Sequence, residues 1–406
     1  MDSLIAAAAQ ALASGDPLGA LNRVALREDA PALALRGTAM AQLGDLGRAK
    51  VLLRRAARAF GPRESVARAR CVLAEAEIAL VSRELGWPTR ALEAARTTLA
   101  SHGDRLNAAH ACCLQARRLL LIGRLEDAER ALDRLDPAPF PPALRTAHAL
   151  TLAGIALRRL QTRPARAALA QATQASRQAG IPALAAEVES ALRALDAPAA
   201  RQVGHGGERL LRLDEVEALL ASDALVVDGC RHLVGDACIR VPLASRPVLF
   251  TLARALGEAW PGDVPRDALI TVAFRTRYAD ASHRARLRVE IGRLRTLLRG
   301  AAEVRATGRG FELVPQRARN VVVLARPVEE RHAAVLALLA DGESWSSSAL
   351  ALALGASQRS VQRALDALAA TGKVQAVGGG RARRWMTPAL PGFATALLLP
   401  VPPSGD

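Results

Sequence analysis

A mainly α-helical chain, with an N-terminal α-helical repeat followed by two small α+β modules, is the fold class the sequence predicts. Three observations carry it. Residues 1–198 show no strand-like alternation and almost no β-branched runs. Within them a unit recurs in which a large apolar residue precedes Gly, and Ala follows that Gly by five positions: Gly44/Ala49, Gly86/Ala91 and Gly123/Ala128, with the Gly/Ala pair repeated at Gly15/Ala20. In the second half, helix-period stretches twice give way to short strand-like segments punctuated by turn glycines.

The helical copies read LGDLGRAKVLLRRA from Leu43, LGWPTRALEAARTTLA from Leu85 and IGRLEDAERALDRL from Ile122. LQTRPARAALAQA from Leu160 is a fainter copy without the glycine. Gly permits the tight turn between helices, and Ala lets two helices approach closely. The Gly-to-Gly spacings of 29, 42 and 37 residues bracket the helix-pair period of tetratricopeptide repeats. The segment resembles such repeats in a degenerate form that lacks most of their aromatic positions; an irregular helical bundle is the alternative. Only 3% of the chain is aromatic, so Ala and Leu must do the packing. A domain of this kind implies protein interaction, oligomerisation or signal sensing.

Near the C-terminus, GASQRSVQRALDALAATGKVQAVGGGRARRW predicts a helix that starts at Ser357 and packs through Val361, Leu365 and Leu368. Gln358, Arg359, Gln362 and Arg363 fall on its other faces, and Arg and Gln can make bidentate contacts to guanine and adenine edges. The helix should stop at Gly372, followed by a strand at 374–377, a triple-glycine tip and a returning strand with Arg381, Arg383 and Arg384. Upstream, residues 329–340 read as a packing helix broken at Asp341-Gly342, and residues 346–354 as a second helix closed by Gly355. With VQRALDAL at its centre, the stretch resembles DeoR-like winged helix-turn-helix modules. The resemblance implies base readout by the helix, Ser357 included, and phosphate contacts from the hairpin arginines. A plain helical hairpin with a solvated polar face would not require GGGRARRW.

A second pattern covers residues 225–315. SRPVLFTLARAL, VPRDALITVAF, RARLRVEIGRLRTLL and VRATGRGFELVP occur in the order of three helices and a glycine-tipped wing, after opening strands in ALVVDG and ACIRVPL. The region resembles the OmpR/PhoB-type winged-helix effector domain. Leu287, Ile291, Leu294 and Leu298 form an apolar stripe on the third helix. Arg284, Arg288 and Arg295 share one further face, and Arg286, Glu290 and Arg293 another. The resemblance implies that this helix enters the major groove, with Arg305 and Arg309 of the wing reaching phosphate or the minor groove. Glu290 departs from the family pattern; pairing with Arg286 at i, i+4 is expected of it, with cytosine contact the alternative.

The expected organisation is a tetratricopeptide-like domain at 1–198, a linker at 199–222, the OmpR/PhoB-type domain at 223–316, the DeoR-like domain at 326–388 and a tail at 389–406. RARNVVVLARPVEE would join the two winged helices, and LLRLDEVEALLAS reads as a connecting helix. The tail segment PGFATALLLPVPP is expected to pack on the last module. Net charge is +16, which fits a nucleic-acid partner. The charge is spread along the chain, since residues 1–198 hold 27 Lys/Arg against 19 Asp/Glu, half of the excess. No apolar run reaches membrane-spanning length, and the first residues lack a basic signal-peptide region, so a cytoplasmic protein with no membrane partner is expected.

Catalytic and metal signatures are missing. The five cysteines form no CxxC pair; TGKV is no P-loop; GxSxG and HExxH do not occur. His205 reads as a linker histidine. Cys230 and Cys238 lie symmetrically about Val234 in a hairpin expected to turn at Gly235-Asp236, with His232 nearby. They read either as a facing thiol pair or metal-sensing site, or as two small apolar residues of a reduced strand pair. The sequence thus predicts a bacterial-type transcription regulator, not an enzyme, with no metal and no cofactor. Its partners would be double-stranded DNA and a second copy in a homodimer, which matches palindromic half-sites, with a protein partner on the helical half. The alternative is a scaffold whose winged helices bind proteins.

Overall fold

In a computed structural model of the chain, the described residues are 2–204, 207–276, 278–327, 332–339, 343–371, 373–378 and 383–387. The chain is 61% helix and 13% strand, so it is mainly α. It divides into two compact units. The first takes Met1–Arg159, Arg163–Leu192 and the described residues from His332 onward. The second takes Leu160–Thr162 and the described residues of Arg193–Arg331.

The first unit opens with α1 Ser3–Ala13, α2 Pro17–Val24, α3 Ala30–Gln42, α4 Leu46–Ala59, α5 Ser65–Val81 and α6 Thr89–Ser101. It continues with α7 Arg105–Leu121, α8 Leu125–Leu132, α9 Pro142–Arg158, α10 Thr162–Ala179 and α11 Pro182–Asp196. One turn chemistry recurs between them. Gly15, Gly44, Gly103 and Gly123 are left-handed, with φ of 79, 86, 80 and 82°. The next N–H closes the finished helix in each case: Asp16 donates to the Ala11 carbonyl, Asp45 to Met40, Asp104 to Leu99 and Arg124 to Leu119. Asp16, Asp45 and Asp104 then cap the following helix by accepting its backbone N–H groups, so a Gly-Asp pair ends one helix and starts another.

Gly86 does not play this part. The left-handed residue after α5 is Arg83, φ 52°, with Glu84 N–H donating to the Ala79 carbonyl. Helix α6 starts six residues after Arg83, where α2, α4 and α8 start two residues after their glycine. The inserted residues pushed the apparent motif out of register. Ala20, Ala49 and Ala128 are accordingly fully buried, whereas Ala91 is only half-buried. The glycine-free copy keeps the turn as well, with Leu160 at φ 56°.

The same unit ends with α16 Ala333–Leu339, α17 Ser347–Leu354, α18 Gln358–Ala370, and a hairpin of β10 Gln375–Val377 and β11 Arg384–Met386. (Strands are numbered along the whole chain, β1 to β9 lying in the second unit.) Ser346 and Ser357 cap α17 and α18, and Gly355 is left-handed between them at φ 60°. Val361, Leu365 and Leu368 are buried as their spacing requires. They do not form a private core. A single cluster runs from Leu73, Leu80, Leu92, Leu99 and Leu114 of α5, α6 and α7 to Trp345, Leu350, Leu365 and Trp385. Arg381, His205, Asp341-Gly342, Gly372 and the 389–406 tail lie outside the described residues.

The second unit contains β1 Ala200–Gly204, β2 Gly207–Leu211, α12 Leu213–Leu220, β3 Ala224–Asp228, β4 Leu233–Gly235 and β5 Arg240–Pro242. Then come α13 Pro247–Ala259, β6 Asp263–Pro265, α14 Arg266–Phe274, α15 Ala281–Leu298, β7 Ala302–Ala306, β8 Gly310–Pro315 and β9 Asn320–Ala325. One sheet has the order β2-β1-β9-β3-β4-β5, with β3 and β9 parallel; a second has the order β6-β8-β7. Two expectations are corrected here. In residues 199–222, read as a linker, the helix expected in LLRLDEVEALLAS is present as α12, but β1 and β2 pair as a hairpin before it, and NVVVLA, read as a joint, is the central strand β9. Val321, Val322, Val323 and Leu324 are all buried, the continuous apolar run of a strand covered on both faces. Leu287, Ile291, Leu294 and Leu298 of α15 sit in a core with Leu252, Leu256 and Phe311. No helix among the described residues is long and apolar enough to cross a membrane.

Candidate nucleic-acid interface

Helix α18 separates its residues cleanly. At about 100° per residue, Gln358, Arg359, Gln362, Arg363 and Asp366 share one arc, opposite buried Val361, Ala364, Leu365 and Leu368. Arg359 and Arg363 are exposed and make no hydrogen bond or ion pair among the described residues. The two glutamines are held locally: Gln358 donates to Ser347 Oγ at 3.1 Å, and Gln362 to Asp366 Oδ1 at 3.0 Å. Ser357 spends its hydroxyl on the cap, accepting from Ser360 N–H at 3.2 Å.

The hairpin arginines have different surroundings. Arg383 is exposed, its guanidinium 4.3 Å from the Trp385 ring centre. Arg384, expected at phosphate, is instead ion-paired with Glu84 in the α5–α6 turn at 2.8 Å. The other Glu84 oxygen meets Lys50 Nζ at 2.7 Å. In the same turn Arg83 is 8% exposed and lies 5.3 Å from the Trp345 ring centre. Trp345 and Trp385 exchange backbone hydrogen bonds of 2.7 Å in both directions. Sequence reading missed Arg83, Glu84 and both tryptophans. The available signal was aromatic placement, since two of only four tryptophans fall in this one short module.

On α15 most arginines are engaged. Arg284 is 3.7 Å from Asp267, Arg286 lies 4.4 Å from the Phe274 ring centre, and Arg293 pairs with Glu290 at 2.9 Å. The expected Glu290–Arg286 pair is thus replaced, because the Phe274 ring draws Arg286 away. Arg295 was expected with Arg284 and Arg288 on a face apart from the Leu287, Ile291, Leu294 and Leu298 stripe. It flanks that stripe instead, and its Nε donates to the Val304 carbonyl at 2.6 Å. Arg288 is exposed and unpaired among the described residues. Arg305 lies within 3.5 Å of both Glu303 and Glu312, while Arg309 sits exposed at the β7–β8 turn. Arg266 fixes that turn by donating to the Thr307 and Gly308 carbonyls at 3.0 Å. A Cβ at Gly310 would stand 1.8 Å from the Val264 carbonyl oxygen, so the β7–β8 turn cannot close on any larger residue.

Cys230 and Cys238 do not face each other. Cys230 lies in the β3–β4 turn and Cys238 in the β4–β5 turn, at opposite ends of β4, and both are free thiols. Asp228 and Asp236 order these turns, each accepting two backbone N–H groups. No group of metal-binding side chains occurs among the described residues. Burial, aided by Asp228, pushes the Cys230 thiol up to about 11, and burial pushes Cys71 and Cys113 to about 12. The thiolate is the nucleophile, so at pH 8 these three should be nearly inert. Iodoacetamide should label exposed Cys238 first in the native chain, read by peptide mass spectrometry. Labelling of Cys230 at the same rate would contradict this account.

The helical half also holds a half-open cavity of about 760 Å³, lined by Ile5, Leu12, Leu35, Cys71, His110 and Leu144 among others. His110 Nε2 lies 3.3 Å from Glu77 Oε2, and both side chains are buried. Comparison of the chain with family models, curated proteins and solved structures finds no match.

Proposed function

We propose that this protein is a sequence-specific DNA-binding transcription regulator with two winged-helix modules and a tetratricopeptide-like helical half. The observation that carries the reading is the exposed arc of α18, where unpaired Arg359 and Arg363 stand beside a basic hairpin. A helix whose outer face offers unneutralised Arg and Gln is suited to base edges in the major groove. Helix α15 supports a second contact of another kind. Its outermost residues are Ala285, Val289, Gly292 and Thr296, flanked by arginines on both sides. Small residues permit close approach to a groove floor while the flanks reach the two phosphate strands. In this reading the protein is cytoplasmic and acts as a homodimer on palindromic sites. The cavity of the helical half is the natural place for a sensed signal, its volume falling within the roughly 300–1,000 Å³ of ligand pockets.

Quantitative binding to duplexes over a salt series tests this. Replacing Arg359 or Arg363 by Ala should cost about 1–3 kcal/mol on a selected site and much less on random duplex. Replacing Arg383 should weaken every duplex alike and reduce the salt slope by roughly one unit. Equal losses on selected and random DNA for Arg363→Ala would refute base readout by α18.

A further inference from the structure

Two consecutive residues of one turn in the helical half contact the C-terminal module. Arg83 covers Trp345 and Glu84 pairs with Arg384 of β11. Six other inter-helix turns among the described residues place glycine at the left-handed position, and this one places Arg83 there. An arginine in that conformation is sterically disfavoured, and such residues persist where the surroundings use them. Here the use is visible, since the Arg83 side chain is buried against the module. Glu84 is likewise no isolated surface charge, because Lys50, its second partner, is only 13% exposed. β11 pairs with β10 through all three of its residues, and Arg384 ties it as well to this turn.

We propose that the α5–α6 turn positions the C-terminal module for DNA, with Glu84 as a positioning residue acting through Arg384. The inference rests on the DNA-binding reading above. Arg384 is then no phosphate contact; it fixes where the hairpin stands relative to α18, and so whether Arg359, Arg363 and Arg383 reach one site together. Such a role predicts an effect on discrimination. Net charge alone predicts an effect on all DNA equally.

The test uses the full chain and a duplex enriched by the wild type from a random-sequence library, compared with a random duplex of the same length. Glu84→Gln and Arg384→Gln should each lower the enriched-to-random affinity ratio about tenfold, and the double variant no further. Arg384→Lys, which retains the pair, should stay near wild type, and the swap Glu84→Arg with Arg384→Glu should recover part of the ratio. Circular dichroism melting separates this from unfolding, and a variant that melts early is judged by the Lys and swap forms. A ratio unmoved in every variant, or losses that add in the double, overturns the positioning role alone. A library that yields no enriched duplex removes the DNA reading, and the positioning role with it.

Discussion

A fragment beginning near residue 225, lacking the helical half, is expected to keep the fold of α13–α15 and to lose that of α16–α18. The two cores explain the difference. The α13–α15 core closes on residues 225–323 alone. The C-terminal module instead shares its cluster with Leu73, Leu80, Leu85, Leu92, Leu99 and Leu114. Trp345 and Trp385 are each 1% exposed in that cluster. A buried tryptophan removes about 150–250 Å² from water, worth up to roughly 4–6 kcal/mol at 25 cal/mol per Å². Against a typical stability of about 5–15 kcal/mol, uncovering even part of that surface is decisive for so small a module. Amide hydrogen exchange should show α18 unprotected in the fragment and protected in the full chain, while α15 is unchanged. Native-like protection of α18 in the fragment would show the module to be autonomous.

Local structure near the C-terminus was legible because each boundary has its own chemistry. Ser346 and Ser357 are caps, Gly355 is the left-handed stop, and Val361, Leu365 and Leu368 repeat at helical spacing. The docking was not legible. Glu84 and Arg384 are 300 residues apart, and no local pattern pairs one acid with one base in a chain holding 55 Lys/Arg and 39 Asp/Glu. The Gly86 register failed because a short insertion kept Gly followed by Ala while moving the left-handed position to Arg83. The supposed joint was a different kind of error. Val321-Val322-Val323-Leu324 carries the apolar run of a buried strand, but so short a run between polar residues does not reveal the partner strands that cover it. At the arginines of α15 the helix faces were legible but their partners were not, since Phe274 and Val304 reach them through the tertiary fold.

Replacing Trp385 by Ala in the full chain should release the C-terminal module without unfolding the other helices of its unit. Large-to-small changes at buried aromatics cost about 3–5 kcal/mol, and this ring is 1% exposed in the shared cluster. The loss also reaches Arg383, which rests on the ring at 4.3 Å. Helices α1–α4 have their own apolar clusters, built on Leu12, Val24, Leu33, Leu52 and Leu53, and none of these includes Trp385. Urea denaturation should therefore split into an early transition for α16–α18 and a later one for the helical half. Trp385→Phe, which keeps an apolar ring, should lose less. The contrast with Glu84→Gln is informative, because a partly exposed ion pair contributes only about 0.2–1 kcal/mol. The tryptophan change should thus abolish protection of α18, whereas the Glu84 change should leave it standing and alter only what it recognises. Unchanged hydrogen exchange in α18 of Trp385→Ala would mean that the shared cluster does not hold the module.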